Sequence, residues 1–171
     1  GQYMDLTRIA EIGKKGVTLM LAESTNVERE GYTMSERVVG ETLDKVFAGH
    51  QKSRLIIATF ASNVHRLQQI LDLAVKYGRK VAFSGRSMIN VVEAASKIGE
   101  IKVPDKLIVD IEKIHTIAKE KLVILSTGTQ GEPMSALTRM ASGEFNKVTI
   151  GENDTIILSA STIPGNEKMI Y

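Results

Sequence analysis

Lys121-Leu122-Val123-Ile124-Leu125-Ser126-Thr127-Gly128-Thr129-Gln130-Gly131-Glu132-Pro133 is the stretch on which the fold turns. Its opening run is short, apolar and β-branched, the pattern of a strand buried on both faces. Small hydroxyls and two glycines then break the run into a turn. Pro133 suits the first position of a helix, where its missing N–H costs nothing and its fixed φ is already helical. That helix is expected to reach about Ser142 and to stop at Gly143.

The same alternation extends to both sides. Upstream, Arg54–Phe60 and Lys80–Phe83 read as strands. Behind the first comes a helix capped by Ser62 or Asn63, with Val64, Leu67, Ile70, Leu71 and Ala74 on its inner stripe. Behind the second comes a helix from about Ser87 that buries Met88, Val91, Val92, Ala95 and Ile98 and is closed by Gly99. Thr33-Met34-Ser35-Glu36 fits a capping box, with Thr33 as N-cap and Glu36 three residues on, ahead of a helix carrying Val39, Leu43, Val46 and Phe47. Val17–Ala22 reads as a buried strand after a short helix of about Asp5 to Lys14. Leu107–Asp110 is either a strand or not, and Ile111–Ile117 is either a helical turn or a strand edge. Thr155–Leu158 is the last strand, and Pro164 opens a final, short helix that suggests a piece of a longer protein. The expected fold is α/β, a mostly parallel sheet with helices on both faces.

Composition narrows the function. With 22 basic and 20 acidic residues the net charge is +2, too balanced to hold a polyanion by bulk attraction. Any phosphate binding must come from local geometry. The absence of cysteine removes a disulfide framework, a thiolate metal cluster and a cysteine nucleophile. His50, His65 and His115 form no HxH or HExxH pair, so the chain alone offers no recognisable zinc site and no metal ligands are assigned to it. No apolar run approaches the ~18 residues of a membrane span. The start lacks a signal-peptide pattern, so no membrane partner and a cytoplasmic location are expected.

Ligands of parallel sheets bind beyond the carboxyl ends of the strands. The segments that follow these strands are Glu23-Ser24-Thr25-Asn26, Ser62-Asn63, Ser84-Gly85-Arg86-Ser87, Ser126–Glu132 and Ser159-Ala160-Ser161-Thr162. Hydroxyls, backbone N–H groups and positive helix ends in one row make an anion site. Taken singly, each segment reads more readily as an ordinary βα turn or N-cap; the whole set, with Arg66 and Arg86 nearby, favours an anion-binding edge. Thr127–Gly131 lacks the lysine of a P-loop, so it does not point to a nucleoside triphosphate. Glu23 is either a cap for its own turn or an acid aimed at the cleft. Arg66 is either a phosphate contact or a solvated surface arginine, and Arg86 is the better anion candidate. Arg139 reads as a salt-bridge residue, His65 as a surface or capping residue, and Met134 and Met140 as core or groove filler.

Five blocks carry a resemblance: Leu21–Asn26, Thr59–Arg66, Ser84–Met88, Ser126–Leu137 and Ser159–Glu167. In order and over nearly the whole chain they resemble ribonuclease J, a metallo-β-lactamase-fold nuclease with an inserted β-CASP domain. The resemblance implies that residues 31–171 are β-CASP-like and that residues 1–30 are a lead-in strand and helix from the nuclease part. It implies that zinc is bound by parts of the parent with no counterpart here. It implies that Glu23, where the family often has Asp, is an organising acid beside the metals. Ser159 and Ser161 would lie near the 5′ monophosphate of an RNA strand. Arg86 and the turn containing Thr127, Gly128, Gln130, Gly131 and Glu132 would line the RNA path.

The function so implied is RNA clamping for a zinc-dependent 5′-to-3′ exoribonuclease with endonuclease activity, in a parent that forms homo-oligomers. Expected partners are 5′-monophosphorylated single-stranded RNA and the parent's nuclease domain, with no cofactor held by this chain alone. A free-standing nucleotide- or phosphate-binding regulator shares the same strand-end chemistry and is the competing reading.

Overall fold

A computed structural model describes residues 4–24, 27–28, 30–163 and 165–170. Helix α1 (Leu6–Lys15) leads to α2 (Glu36–Gly49), β1 (Arg54–Ala58), α3 (Val64–Lys76), β2 (Lys80–Ser84) and α4 (Arg86–Lys97). A 3-10 turn at Ile111–Thr116 precedes β3 (Leu122–Ser126), α5 (Ala136–Ala141), β4 (Asp154–Leu158) and α6 (Glu167–Ile170). The four strands form one sheet in the order β2-β3-β1-β4, and every pairing is parallel.

Alternation along the strands divides the core in two. Leu55, Ile57, Val81, Phe83, Val123 and Leu125 point to one face, where α2, α3 and α4 pack through Phe47, Leu67, Ile70, Leu71 and Met88. Ile56, Ala82, Leu122 and Ile124 point to the other, where α5, the 3-10 turn and the 144–150 segment pack through Ala136, Met140, Ile114 and Val148. The expected α/β sheet with helices on both faces is the observed one. Asn63 caps α3, its Oδ1 accepting from the Arg66 amide at 3.1 Å.

Two buried arginines hold the amino end of the sheet. Arg54, 5% exposed, meets its cross-strand partner Asp154 through Nε to Oδ1 at 2.9 Å and Nη2 to Oδ2 at 2.5 Å. Arg79, 3% exposed, donates to the carbonyls of His50 (2.7 Å) and Ser53 (2.8 Å), which tie the turn before β1 to the start of β2. Burial lowers the Arg79 pKa from its usual value, against an opposing pull from the Glu120 carboxylate.

Several expectations are corrected. Val17–Ala22 is not a strand, and Leu19, Met20 and Leu21 are 76%, 75% and 91% exposed. An apolar run becomes a strand only where another backbone takes its hydrogen bonds, and among the described residues no strand lies alongside. The capping box is displaced: Ser35, not Thr33, caps α2, and Glu36 becomes its first residue. The Glu36 carboxylate is taken by Arg66 and so does not turn back to the cap. Ile98 is 75% exposed because it follows the last turn of α4, where the chain leaves the sheet. Helix α5 starts at Ala136, because the Ser135 hydroxyl takes the cap by accepting from the Thr138 amide at 3.3 Å. Leu107–Asp110 contributes one parallel bridge, Val81 to Ile108, and the following residues form the 3-10 turn. Pro164 lies outside the described residues.

Candidate functional site at the carboxyl ends of the strands

Register builds the site. Ser84, Ser126, Ala58 and Leu158 are neighbours in one row across the sheet, so the turns after all four strands emerge at one edge. Backbone bonds extend that row by one residue. The Thr59 amide donates to Ser126 O at 3.1 Å and the Ser159 amide to Ala58 O at 2.8 Å. The Thr59 hydroxyl donates to Ser159 O at 3.1 Å, and both residues are buried.

Arg66 is committed to structure. Its Nε and Nη2 donate to the two Glu36 carboxylate oxygens at 2.6 and 2.9 Å, and its Nη1 donates to Ser159 O at 2.6 Å. The Arg66 hydrogen bond, chiefly, holds the Glu36 pKa below the usual carboxylate value. Arg66 therefore positions the loop after β4 from within the fold.

The turn after β3 is held tightly. Gly128 has φ +106°, a conformation that favours glycine, and a Cβ there would overlap the Ser135 side chain. Gln130, 3% exposed, spans to the loop after β4: its Nε2 donates to Ser161 O at 3.0 Å and its Oε1 accepts from the Ile163 amide at 2.8 Å. The Glu132 carboxylate accepts from the Gln130 amide at 3.1 Å and so caps its own turn. The structure thus brings Ser126, Thr127, Gly128, Gln130, Gly131, Ser159 and Ser161 together. Ser62 and Asn63 stand beside them at the start of α3.

Beside β2 the edge deepens into a cleft of about 540 Å³ that includes Ser84, Gly85, Arg86, Ser87 and Thr127. Arg139 and Lys147 join it from the far wall, and Lys147 was not anticipated because its position follows no strand. Arg139 makes no ion pair among the described residues, contrary to expectation. It stacks its guanidinium over the Phe145 ring at 5.6 Å. Met134, expected to fill core or groove, is 83% exposed on the rim. A second groove of about 320 Å³ runs between α2 and β4 and ends at Arg66, Ser159 and Ser161. Glu23 and Ser24 are exposed in the segment before α2, and Thr25 and Asn26 lie outside the described residues.

A parallel sheet with its hydroxyl and glycine turns gathered at the carboxyl edge defines an α/β domain of the class in which ligands bind beyond the strand ends. A family model described as the beta-CASP domain of ribonuclease J matches residues 52–171. The chain is 47% identical over 166 residues to a ribonuclease J of Synechocystis, covering 97% of this chain and 26% of that protein. It is 46% identical over 171 residues to a ribonuclease J of Mycobacterium tuberculosis, covering all of this chain and 30% of that protein. A ribonuclease J2 of Bacillus subtilis is 40% identical over 171 residues, with 99% and 30% covered. The chain belongs to the ribonuclease J family and carries its β-CASP domain. It spans less than a third of the length of these relatives.

Proposed function

We propose that this chain is the RNA-clamping part of a ribonuclease J. Residues 31–171 form the β-CASP portion, and residues 1–30 are the lead-in from the metallo-β-lactamase part. A 5′-monophosphorylated single strand lies along the carboxyl edge of the sheet. Zinc chemistry supplied from outside the chain cuts it, from the 5′ end and internally. Glu23 serves as an organising acid beside those metals. The parent works in the cytoplasm as a homo-oligomer.

The observation that carries this reading is the register. Four parallel strands end in one row, and the turns beyond them offer hydroxyls, glycines and amides over a continuous edge. Family membership supplies the substrate class, since the relatives are named ribonucleases. Among the described residues no three His, Cys, Asp or Glu side chains gather where they could hold a metal ion. The described residues do not fit a zinc site, and no hydrolytic step is assigned to them.

The test is to mix the chain with 5′-phosphorylated and 5′-hydroxyl RNA, with zinc or manganese added. Binding without cleavage, stronger for the phosphorylated strand, is expected. Metal-dependent cleavage by the chain alone would overturn the division of labour.

A further inference from the structure

The amino edge of the sheet, opposite the ligand turns, carries charge that the fold does not use. Its segments are 50–54, 78–80, 104–107, 118–122 and 149–154. Lys80 opens β2 and is the register partner of Leu122, so Lys121 stands beside it. Lys52 lies in the turn whose carbonyls Arg79 holds. Lys106 comes up beside β2, because its carbonyl accepts from Lys80 Nζ at 2.6 Å. Lys119 reaches toward β4, its Nζ lying 3.7 Å from the point that a Cβ on Gly151 would occupy. The strip runs from β2 across β3 and β1 to the start of β4, three strand spacings or about 14 Å.

All five lysines are exposed, and none forms an ion pair among the described residues. The carboxylates described on this edge are Asp105, Glu120, Glu152 and Asp154, and Asp154 is consumed by Arg54. Lys106 adds a second observation. Its φ is +59°, the one positive φ outside glycine among the described residues. It stands third in the turn Pro104–Leu107, which the Leu107 amide closes by donating to Pro104 O at 3.2 Å. Glycine or asparagine adopts that conformation with less strain. A lysine there gives up stability for a charge that has no partner within the described chain, and residues held in such conformations gather at functional positions.

The surroundings define the kind of partner. Protein interfaces centre on aromatic and apolar anchors. This edge exposes no large apolar side chain among its described residues. Ammonium groups on flexible stems, spread along a strip, suit a phosphate backbone, whose contacts are electrostatic and independent of sequence.

We infer that the amino edge is a second RNA surface, set apart from the carboxyl edge by the length of the strands, about 17 Å. It holds phosphates of the distal part of a bound strand without reading the bases. The inference rests on the RNA-clamping reading for the identity of the polyanion.

The experiment measures binding by the chain in chelator-containing buffer over a range of salt. The probes are 5′-phosphorylated RNAs of about 4 and about 24 nucleotides, the shorter sized for one edge, and poly-L-glutamate. Lys106→Gln, Lys119→Gln and Lys121→Gln combined should weaken the longer RNA about tenfold. They should also flatten its slope of log K against log salt by about 2, the share of three phosphate contacts. The shorter RNA should bind the triple variant as it binds the wild type. Lys106→Gly alone should flatten the slope by about 0.7 while Tm holds or rises, because the left-handed strain is relieved. Lys14→Gln with Lys15→Gln, at the end of α1, should leave both RNAs unchanged. Wild-type affinity and slope in the triple variant would overturn the second surface while leaving RNA clamping intact. If the shorter RNA is not bound and the longer one is held through these lysines, the clamping reading falls and the surface stands. If the wild type binds neither RNA, both fall, and lysine-dependent capture of polyglutamate in their place would assign the edge to an acidic protein.

Discussion

Arg66 and Glu36 face each other as a two-pronged ion pair between α3 and α2, while the third guanidinium nitrogen donates to the Ser159 carbonyl at 2.6 Å. One arginine thus joins two helices to the loop that ends β4. Both side chains are mostly buried, at 13% and 25% exposure. That commitment makes the pair a structural device.

A pH dependence follows from the Glu36 carboxylate, whose folded pKa lies below its ordinary 4.5. A depressed carboxylate pKa means that the unfolded chain binds the proton more tightly than the folded one. The pair's contribution is therefore fully present above pH 4.5 and is lost as pH falls through the lower folded value. Glu36→Gln should cost about 1–2 kcal/mol at neutral pH, the scale of a charge-assisted hydrogen bond that is partly solvated. It should also flatten the acid limb of the stability curve. Urea unfolding between pH 3 and 7 checks both. A variant that loses stability below pH 4.5 as steeply as the wild type would show that the pair is not the titrating element.

Much of this architecture is legible from spacing. Leu67, Ile70, Leu71 and Ala74 repeat at helical intervals, and all are buried. The apolar runs of β1 and β3 are buried at every position. The run at 17–22 reads the same way and is exposed, because hydropathy records what a segment could bury and not whether a partner stands beside it. The candidate site divides similarly. Strand-end hydroxyls and glycines are visible because they follow strands. The pairing of Arg66 with Glu36, 30 positions away, carries no local signal. Nor does the placing of Arg139 and Lys147 across from Arg86, which depends on how α5 and the 144–150 segment fold over the sheet.

The start of β4 is set by charge. Asp154 is the cross-strand partner of Arg54, its side chain is fully buried, and it also accepts from the Gly151 amide at 2.8 Å. Asp154→Ala would leave the Arg54 guanidinium buried with only the Thr149 carbonyl, at 2.7 Å, to hold it. Removing one partner of a buried pair costs about 3–5 kcal/mol, mostly the desolvation of the charge left behind. The double variant Arg54→Met with Asp154→Leu removes both charges and should recover most of that loss. Chemical denaturation of the single and double variants measures the coupling. Equal destabilisation in both would show that the pair matters for packing and not for charge.

Gln130 gives the sharpest separation of local from global effect. Its carboxamide is buried and joins the turn after β3 to the loop after β4, through Ser161 O at 3.0 Å and the Ile163 amide at 2.8 Å. A hydrophobic residue of similar size could fill the space but could neither accept nor donate, so the loop would lose its tether while the sheet kept its own ladder. Gln130→Leu is expected to cost about 0.5–1.5 kcal/mol, the net worth of a hydrogen bond, because Ser161 and Ile163 are exposed and water can take up their backbone groups. The Ile163 amide should exchange with solvent much faster, while protection at Ile56, Ile124 and Leu125 is scaled only by the global change. Because Ser159 stays held by Thr59 and Arg66, the disturbance should begin at Ser161 and run toward α6. Unchanged protection at Ile163 would mean that the loop is held by something other than this side chain.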